Sequence, residues 1–465
     1  MYRQFVRLED GVYYVVYVGE VKACCLNAYV AQAFRRSIGQ EVRVISIVPD
    51  MMMEYRWTDV MVVNPPAERL RWVLGRDVAR RVPSAAFAAG VCADAAVLRL
   101  LTELVRRQGE VPVWMFESRP ELSVRLAGGV RLVGPDADLT RLINDKTWQY
   151  AAFADIVPVV EHRVCSGREA MCRAAGDMLE YCAEGVFVSM AYSAGGGASM
   201  VAATVTDCAA RFEEADAQYF VCRYMPHCFD PTVLGVVAGP DDVYVAGVAD
   251  MAIENGTAFR GSTFPSILPA NVQRSLREAT ERVGRRLGEM GFRGIFGCDY
   301  IVDERGEYYF IEVNPRKQGT TMEFCAYLEQ HLPPGAPNLP ELEYHAVLHG
   351  RFPPKTVRPG EAGTRSAPLW WGTYNYKTDV GVTTHDAAPQ IMSERELFAS
   401  VAEHGGRGHI VREHVGAGMM VLPGTFLARV VAAAPTRDAM LEELEAGKAR
   451  IAQTVAVDGG CGCVA

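Results

Sequence analysis

The stretch GIFGCDYIVDERGEYYFIEVNPR, residues 294–316, holds two apolar-rich runs around an acidic turn. Residues Ile295–Val302 alternate in character as a half-buried strand does, and Tyr308–Val313 repeat the pattern. Between them Glu304-Arg305-Gly306-Glu307 supplies turn chemistry, with a glycine able to take positive φ. If Arg305-Gly306 forms a two-residue loop, Asp299 lies directly opposite Glu312, and Asn314, two residues on, shares its face. Two like charges opposite one another destabilise a hairpin unless a cation sits between them. Hard oxygen donors at this spacing suit Mg²⁺, which binds through a few carboxylates, water and substrate phosphates. Pro315 ends the second strand and Arg316 follows, a guanidinium placed to meet a phosphate or carboxylate bidentately. A one-residue slip in register would turn Glu312 to the opposite face.

Working outward, the chain upstream of the hairpin reads as a helix from Asn271 to Met290. Val272, Leu276, Ala279, Val283, Leu287 and Met290 form its apolar stripe, Asn271 its cap and Gly291 its end. Residues 1–140 alternate strands (Tyr13–Val18, Val42–Val48, Val111–Phe116, Val130–Val133) with helical stretches such as Asn27–Ser37, the pattern of a small α/β domain with a parallel sheet. Residues 141–330 open on a helix near Asn144-Asp145-Lys146 and carry strands Val186–Met190 and Tyr219–Tyr224. The proline-rich composition of 332–368 marks a linker or irregular excursion. Residues 331–465 read as a third, mixed α/β unit with strands Leu369–Tyr376 and Gly418–Leu422 and a final helix from about Thr436 to Val455.

The 465 residues, 49% hydrophobic and 22% charged, are enough for about three domains. A net charge of −9 with no basic run argues against nucleic acid or an anionic membrane as the main partner. The start of the chain lacks a secretion-signal pattern and no window is apolar enough to span a bilayer, so a cytoplasmic protein is expected. Thirteen scattered cysteines read as reduced core thiols, and Cys461 and Cys463 as part of a disordered tail. His404, His409 and His414 recur every five residues, a spacing that does not align them on one helical face.

Asp299 followed by Ile311-Glu312-Val313-Asn314-Pro315-Arg316 resembles the last metal-binding strands of the ATP-grasp superfamily. The resemblance implies an α/β fold: an N-terminal pre-ATP-grasp α/β domain, a central α+β grasp domain and a C-terminal domain on the substrate side or as a lid. It implies that Asp299, Glu312 and Asn314 hold one or two Mg²⁺ ions, with Mn²⁺ as a substitute, on the phosphates of ATP. It places Arg316 at the γ-phosphate or an acyl-phosphate intermediate. Ile143-Asn144-Asp145-Lys146 resembles the segment opening the grasp domain, which would send Lys146 to the α-phosphate; its plain reading is a capped helix start. The run 193–199, with Ser193, Gly195, Gly196, Gly197 and Ser199, is similar to the mobile glycine loop whose backbone N–H groups cradle phosphate. Cys222-Arg223-Tyr224-Met225 occupies the place of the adenine hinge, with Arg223 and Met225 as backbone contacts.

One departure stands out: the lysine usual on the strand before the glycine loop is replaced by Ser189 or Met190. Arg260, in FRGSTFP (259–265), is the candidate substitute, or a binder of the substrate carboxylate. The layout and FRGSTFP also resemble the pheganomycin-type bacterial peptide ligases of natural-product pathways. The implied activity is carboxylate–amine ligation, joining a carboxylic acid or amino acid to an amino acid or peptide with release of ADP and phosphate. An ATP-grasp enzyme with a thiol, bicarbonate or phosphoryl acceptor, and a non-catalytic ATP-binding module, are the alternatives. Oligomeric state stays open, a homodimer being one expectation.

Overall fold

The computed structural model describes residues 6–49, 59–122, 128–192, 199–254, 256–361, 368–385, 392–413 and 416–457. The glycine-loop residues Ser193, Gly195, Gly196 and Gly197, together with His414, Cys461 and Cys463, lie outside them.

The N-terminal segment begins with a parallel sheet. Strands β1 (Tyr13–Val18), β2 (Val42–Val48) and β3 (Val60–Val62) are followed by β4 (Val78–Ala79), β5 (Val111–Met115) and β6 (Val130–Val133). The sheet order is β3-β2-β1-β5-β6, with every neighbouring pair parallel. Runs such as YYVVYV are β-branched and aromatic, and all but the first residue of β1 are buried, as a sheet covered on both faces requires. Helices α1 (Asn27–Ile38), α2 (Pro65–Leu74), α3 (Ser84–Ala93) and α4 (Ala95–Gln108) connect the strands. Asn64 caps α2 by accepting from the Ala67 N–H at 3.0 Å, and Asp94 caps α4 through Ala96 and Val97. These strands and α1 follow the expectation; β3 and β4 are too short to have shown as patterns.

The central segment, 138–320, forms one compact unit. Following α5 (Ala137–Ile143), α6 (Lys146–Phe153) leads to an antiparallel sheet of β7 (His162–Ser166), β8 (Val186–Met190), β9 (Ser199–Ala202) and β10 (Gln218–Arg223), in the order β7-β10-β8-β9. Helices α7 (Arg168–Leu179) and α8 (Val205–Arg211) belong to this layer, which has its own core around Met171, Met178, Val188 and Tyr219. The second sheet contains β11 (Pro231–Gly239), β12 (Asp242–Glu254), β13 (Ala258–Phe264), β14 (Gly294–Val302) and β15 (Tyr308–Asn314), all antiparallel in the order β15-β14-β11-β12-β13. Helix α9 (Ala270–Glu289) packs Val272, Leu276, Ala279, Val283 and Leu287 against it. Full burial of such a side chain stabilises by about 1.5–3 kcal/mol, so the stripe anchors the hairpin's back face. The expected Asn271 cap is corrected: the helix starts a residue earlier, behind Pro269, whose fixed φ of −53° leads into it, and no side chain caps it.

The C-terminal segment contributes α10 (Thr321–His331), α11 (Leu339–His349), β16 (Trp370–Lys377), β17 (Val382–Thr384), α12 (Glu394–His404), β18 (Gly408–Glu413), β19 (Met420–Val421), β20 (Phe426–Ala434), α13 (Arg437–Gln453) and β21 (Val455–Val457). Helix α11 corrects the expectation of an irregular 332–368. Asn338 caps it and Pro340 sits in its first turn, where a missing N–H costs nothing. In place of three units split near 140 and 330, the contacts give two, because residues 321–465 pack with residues 1–137. Within that unit β19 pairs parallel with β4, the Phe34 and Tyr344 rings meet edge-on at 4.6 Å, and Arg36 bonds Glu341 at 2.7 Å. Such contacts between segments some three hundred residues apart leave no local pattern in a sequence.

No single helix among the described residues is long and apolar enough to cross a membrane.

Candidate active site

The hairpin delivers Asp299 opposite Glu312, and Asn314 opposite Gly297, but by a different route from the one expected. The loop is not Arg305-Gly306. Asp303 N–H donates to the Glu307 carbonyl and Gly306 N–H to the Asp303 carbonyl, which leaves Glu304, Arg305 and Gly306 as a three-residue loop. Gly306 takes φ of +80°, and the Asp303 carboxylate accepts from the Arg305 and Glu307 N–H groups. That register pairs Val302 with Tyr308 and Tyr300 with Phe310. A bulge beside Tyr300 then adds one residue to β15, so that Asp299 meets Glu312. Phe310 and Val313 both reach the core under α9, while Ile311 packs with Ile301 on the other face. Without the extra residue Glu312 would follow Phe310 into that core.

Asp299 is 8% exposed and accepts three hydrogen bonds: Thr232 Oγ1 at 2.6 Å, Asn314 Nδ2 at 2.8 Å and Gln318 Nε2 at 3.2 Å. Its carboxyl is nevertheless pushed up to about 7, first by burial and then by the charge of Glu312. Burial pushes Glu312 up as well, but the Lys146 ammonium bonded to it, the Arg316 charge and a bond from Asn314 outweigh this and hold its carboxyl low. The pair is a like-charge couple in which one member ionises easily and the other resists.

Lys146 reaches the hairpin because Asp145 starts α6 there, accepting from Thr147 N–H at 2.9 Å and Trp148 N–H at 3.4 Å. Three residues after Lys146, buried Gln149 fastens α6 to β15. Its amide donates to the Val313 carbonyl at 2.9 Å and accepts from the Val313 N–H at 2.7 Å. Arg316 Nη1 bonds Asn144 Oδ1 at 3.4 Å, so the segment 144–146 and the strand end 312–316 form one cluster.

Thr232, Gln149 and Gln318 escape a reading by motif, since each is an unremarkable polar residue in a strand, helix or loop. A Cβ on Gly297 would come within 2.0 Å of the Gln318 side-chain amide, so a glycine on the site face leaves Gln318 its place against Asp299. Gly297→Ala is expected to displace Gln318 and lower turnover about tenfold to a hundredfold, the value of one hydrogen bond to a charged group (~1.5–3 kcal/mol). Phosphate-release rates of Gly297→Ala, Gln318→Ala and the double variant check this: the double variant should lose no more than either single one.

The other expected residues are placed elsewhere. Ser199 is buried at the start of β9, opposite Ser189 on β8. Ser189 is buried too, its hydroxyl bonded to the Met190 carbonyl at 2.9 Å, so β8 carries no cation in place of the missing lysine. Arg260 bonds Glu254 across β12–β13 at 2.7 Å, and none of its described contacts is with the Asp299–Glu312 cluster. The Arg223 N–H donates to the Glu161 carbonyl at 2.9 Å, leaving the Arg223 carbonyl as what it can offer a ligand. The Met225 carbonyl accepts from His227 Nδ1 at 2.8 Å, while His227 Nε2 lies 3.0 Å from Asp230 Oδ1.

With both ring nitrogens facing oxygens that only accept, His227 is best satisfied as imidazolium. The bond to Asp230 accordingly raises its pKa against the opposing effect of burial. Its contribution is complete below about pH 6.5, the ordinary histidine value, and is lost as pH rises through the raised one. The melting temperature of Asp230→Asn should fall below that of the parent at pH 6, with the gap closing as pH rises through the raised value.

Asp299, Glu312 and the Asn314 amide oxygen suit a divalent cation. Buried Asp299 and half-buried Glu312 raise each other's cost of ionisation, and a hard cation between them would relieve it. No group of three or more His, Cys, Asp or Glu able to hold a metal ion occurs among the described residues. A set of two carboxylates and an amide instead suits an ion sharing its shell with water and phosphate, the habit of Mg²⁺.

The fold and this hairpin define the class of domain. Residues 196–320 match the family model of the ATP-grasp domain. Over 90 residues the chain is 30% identical to the [butirosin acyl-carrier protein]–L-glutamate ligase of Niallia circulans, a stretch covering 19% of this chain and 22% of that relative. Among solved structures, the chain is similar to the biotin carboxylase–β,γ-ATP complex of Campylobacter jejuni, with a TM-score of 0.63 and 12% identity over 95% of this chain and 92% of that one. It is also similar to the N5-carboxyaminoimidazole synthase of Aspergillus clavatus bound to ADP, with a TM-score of 0.57 and 13% identity over 94% and 99%. The chain has a mixed α/β architecture with an ATP-grasp fold.

Proposed function

We propose that the protein is an ATP-dependent ligase joining a carboxylate to an amine through an acyl phosphate, with release of ADP and phosphate. The observation that carries this is the convergence of Asp299, Glu312 and Asn314 on one face of the β14–β15 hairpin, with Lys146 bonded to Glu312 and Arg316 at the end of β15. Hydroxide leaves a carboxylate too poorly for direct amide formation. Attack of the carboxylate oxygen on the γ-phosphorus expels ADP and makes phosphate the leaving group, which the amine then displaces from the carbonyl, losing a proton. Mg²⁺ or Mn²⁺ held by Asp299, Glu312 and Asn314 would neutralise charge on the nucleotide phosphates.

The chain's own groups position and compensate. Thr232 and Gln318 orient the Asp299 carboxylate, and Gln149 keeps β15 seated on α6. Lys146, drawn from Glu312 onto phosphate oxygens, supplies one positive charge and Arg316 a second, in a buried setting where such charges act strongly. Residues 193–199 are assigned to phosphate contact, and the Arg223 and Met225 backbone to the base. Arg260 is assigned to a substrate carboxylate.

The test is phosphate release from ATP in the presence of pooled amino acids and short peptides. Amine-dependent ADP formation with a condensed product by mass spectrometry supports the reading. Tight ATP binding without turnover on any acceptor overturns it in favour of a binding module. A second reading is favoured by the N. circulans relative, whose name specifies an acyl-carrier protein: one reactant arrives here as the cargo of a carrier protein.

A further inference from the structure

Helix α2 carries an exposed face that the site does not use. Trp72 is 81% exposed and Val73 80%, whereas the other described tryptophans of segments 1–137 and 321–465, Trp114, Trp370 and Trp371, are buried or half-buried. Arg69 stands three and four residues before this pair, on the adjoining helical surface. Arg76, Arg80 and Arg81 follow directly after the helix and are also exposed. Arg71 is already paired with Asp77 at 2.8 Å. Residues 65–81 therefore hold five arginines against Glu68 and Asp77, a local charge of +3 in a chain whose net charge is −9.

An apolar indole beside guanidinium groups is the composition of an interface anchor, since Trp and Arg supply most strong contacts between proteins. Leaving such a side chain in water needs a reason: α2 has a well-formed cap and buries Ala67, so Trp72 is not required by the helix itself. The sign of the patch selects the partner. An acidic surface gains from four exposed guanidiniums, and a second copy of this acidic chain or a basic protein does not.

We propose that the C-terminal turn of α2 and the Arg76–Arg81 segment dock an acidic carrier protein, with Trp72 as the apolar anchor and Arg69, Arg80 and Arg81 as the charged rim. This rests on the carrier-borne reading given above and names the surface that would recognise the carrier. An anionic membrane shares the preference for cations and indole, but the net negative charge of the chain opposes adsorption to it.

The experiment compares substrate presented on a purified holo-acyl-carrier protein with the same group on free pantetheine, using the full chain. In Trp72→Ser and Arg69→Glu/Arg80→Glu, KM for the carrier-borne substrate should rise about tenfold or more, as for loss of an anchor or a rim of charge. KM and kcat for the pantetheine substrate, and the melting temperature, should stay at the parent values. Raising salt should weaken the carrier reaction of the parent and not that of the charge-reversed variant. Equal carrier KM in parent and variants overturns the docking surface while leaving the carrier reading intact. A parent that turns over free amino acids but neither thioester overturns the carrier reading and the surface with it. Binding to phosphatidylglycerol vesicles that Trp72→Ser abolishes, with carrier KM unmoved, overturns it in favour of a membrane.

Discussion

Glu312→Gln is expected to cut turnover by a factor of about one hundred or more, equivalent to at least ~3 kcal/mol of transition-state stabilisation, by analogy with loss of one preorganised electrostatic group. The substitution keeps the shape of the side chain and removes its charge. Three consequences follow. One of the two carboxylates proposed to hold the metal disappears. Lys146, whose side chain is only 11% exposed, loses the partner that holds it at the hairpin. Asp299, held up partly by the charge of Glu312, ionises more easily, so the variant keeps one anionic ligand at neutral pH. The loss should therefore appear in kcat and in the concentration of Mg²⁺ needed for half-maximal rate, with the melting temperature little changed. Steady-state phosphate release across a Mg²⁺ titration makes the measurement. Near-parental turnover would remove the metal assignment from Glu312.

The carboxylates, the lysine and the terminal arginine were legible because chemistry demands those residue types, and a strand puts alternate residues on one face. The register was legible only by coincidence. A two-residue loop and a three-residue loop with a bulge both bring Asp299 to Glu312, and nothing in YYFIEVN announces that Ile311 and Glu312 leave the strand on the same side. The parallel sheet of residues 13–133 showed in its β-branched runs, since strands buried on both faces must be apolar throughout. The helix Leu339–His349 was hidden by its prolines, which read as breakers although the first turn of a helix tolerates them. Thr232 and Gln149 were hidden for a different reason: their work is to satisfy one atom of another segment, and such pairings are set by tertiary geometry alone. The same holds for the union of residues 321–465 with 1–137.

That union contains the most deeply buried ion pair among the described residues, and breaking it from either side should give unequal results. Glu323 of α10 and Arg429 of β20 are 0% and 1% exposed; Arg429 Nη2 bonds Glu323 Oε1 at 2.6 Å and its Nη1 bonds Asn375 Oδ1 at 3.2 Å. Alongside, Glu394 of α12 pairs with Arg412 of β18 at 2.7 Å. Burial, with the charge of Glu394 in support, pushes the Glu323 carboxyl up to about 7 even against the attraction of Arg429. Glu323→Leu leaves a guanidinium that cannot shed its proton in a dry interior, and is expected to destabilise by ~3–5 kcal/mol. Arg429→Met leaves a carboxyl that can take up a proton and become neutral, so its cost should be smaller at low pH. In that variant the folded-state pKa of Glu323 climbs further above its unfolded value near 4.3. The folded state then binds more protons than the unfolded one, and stability falls as pH rises from about 4 through the raised pKa. Arg429→Met should thus lose much more stability at pH 8 than at pH 5, whereas Glu323→Leu should be severe at both. The double variant Glu323→Leu/Arg429→Met, with no charge left to strand, should recover most of the loss. Urea midpoints at the two pH values decide it: equal penalties for the single variants at both would mean that Glu323 stays ionised without its partner, against its full burial and with Arg412 already paired to Glu394.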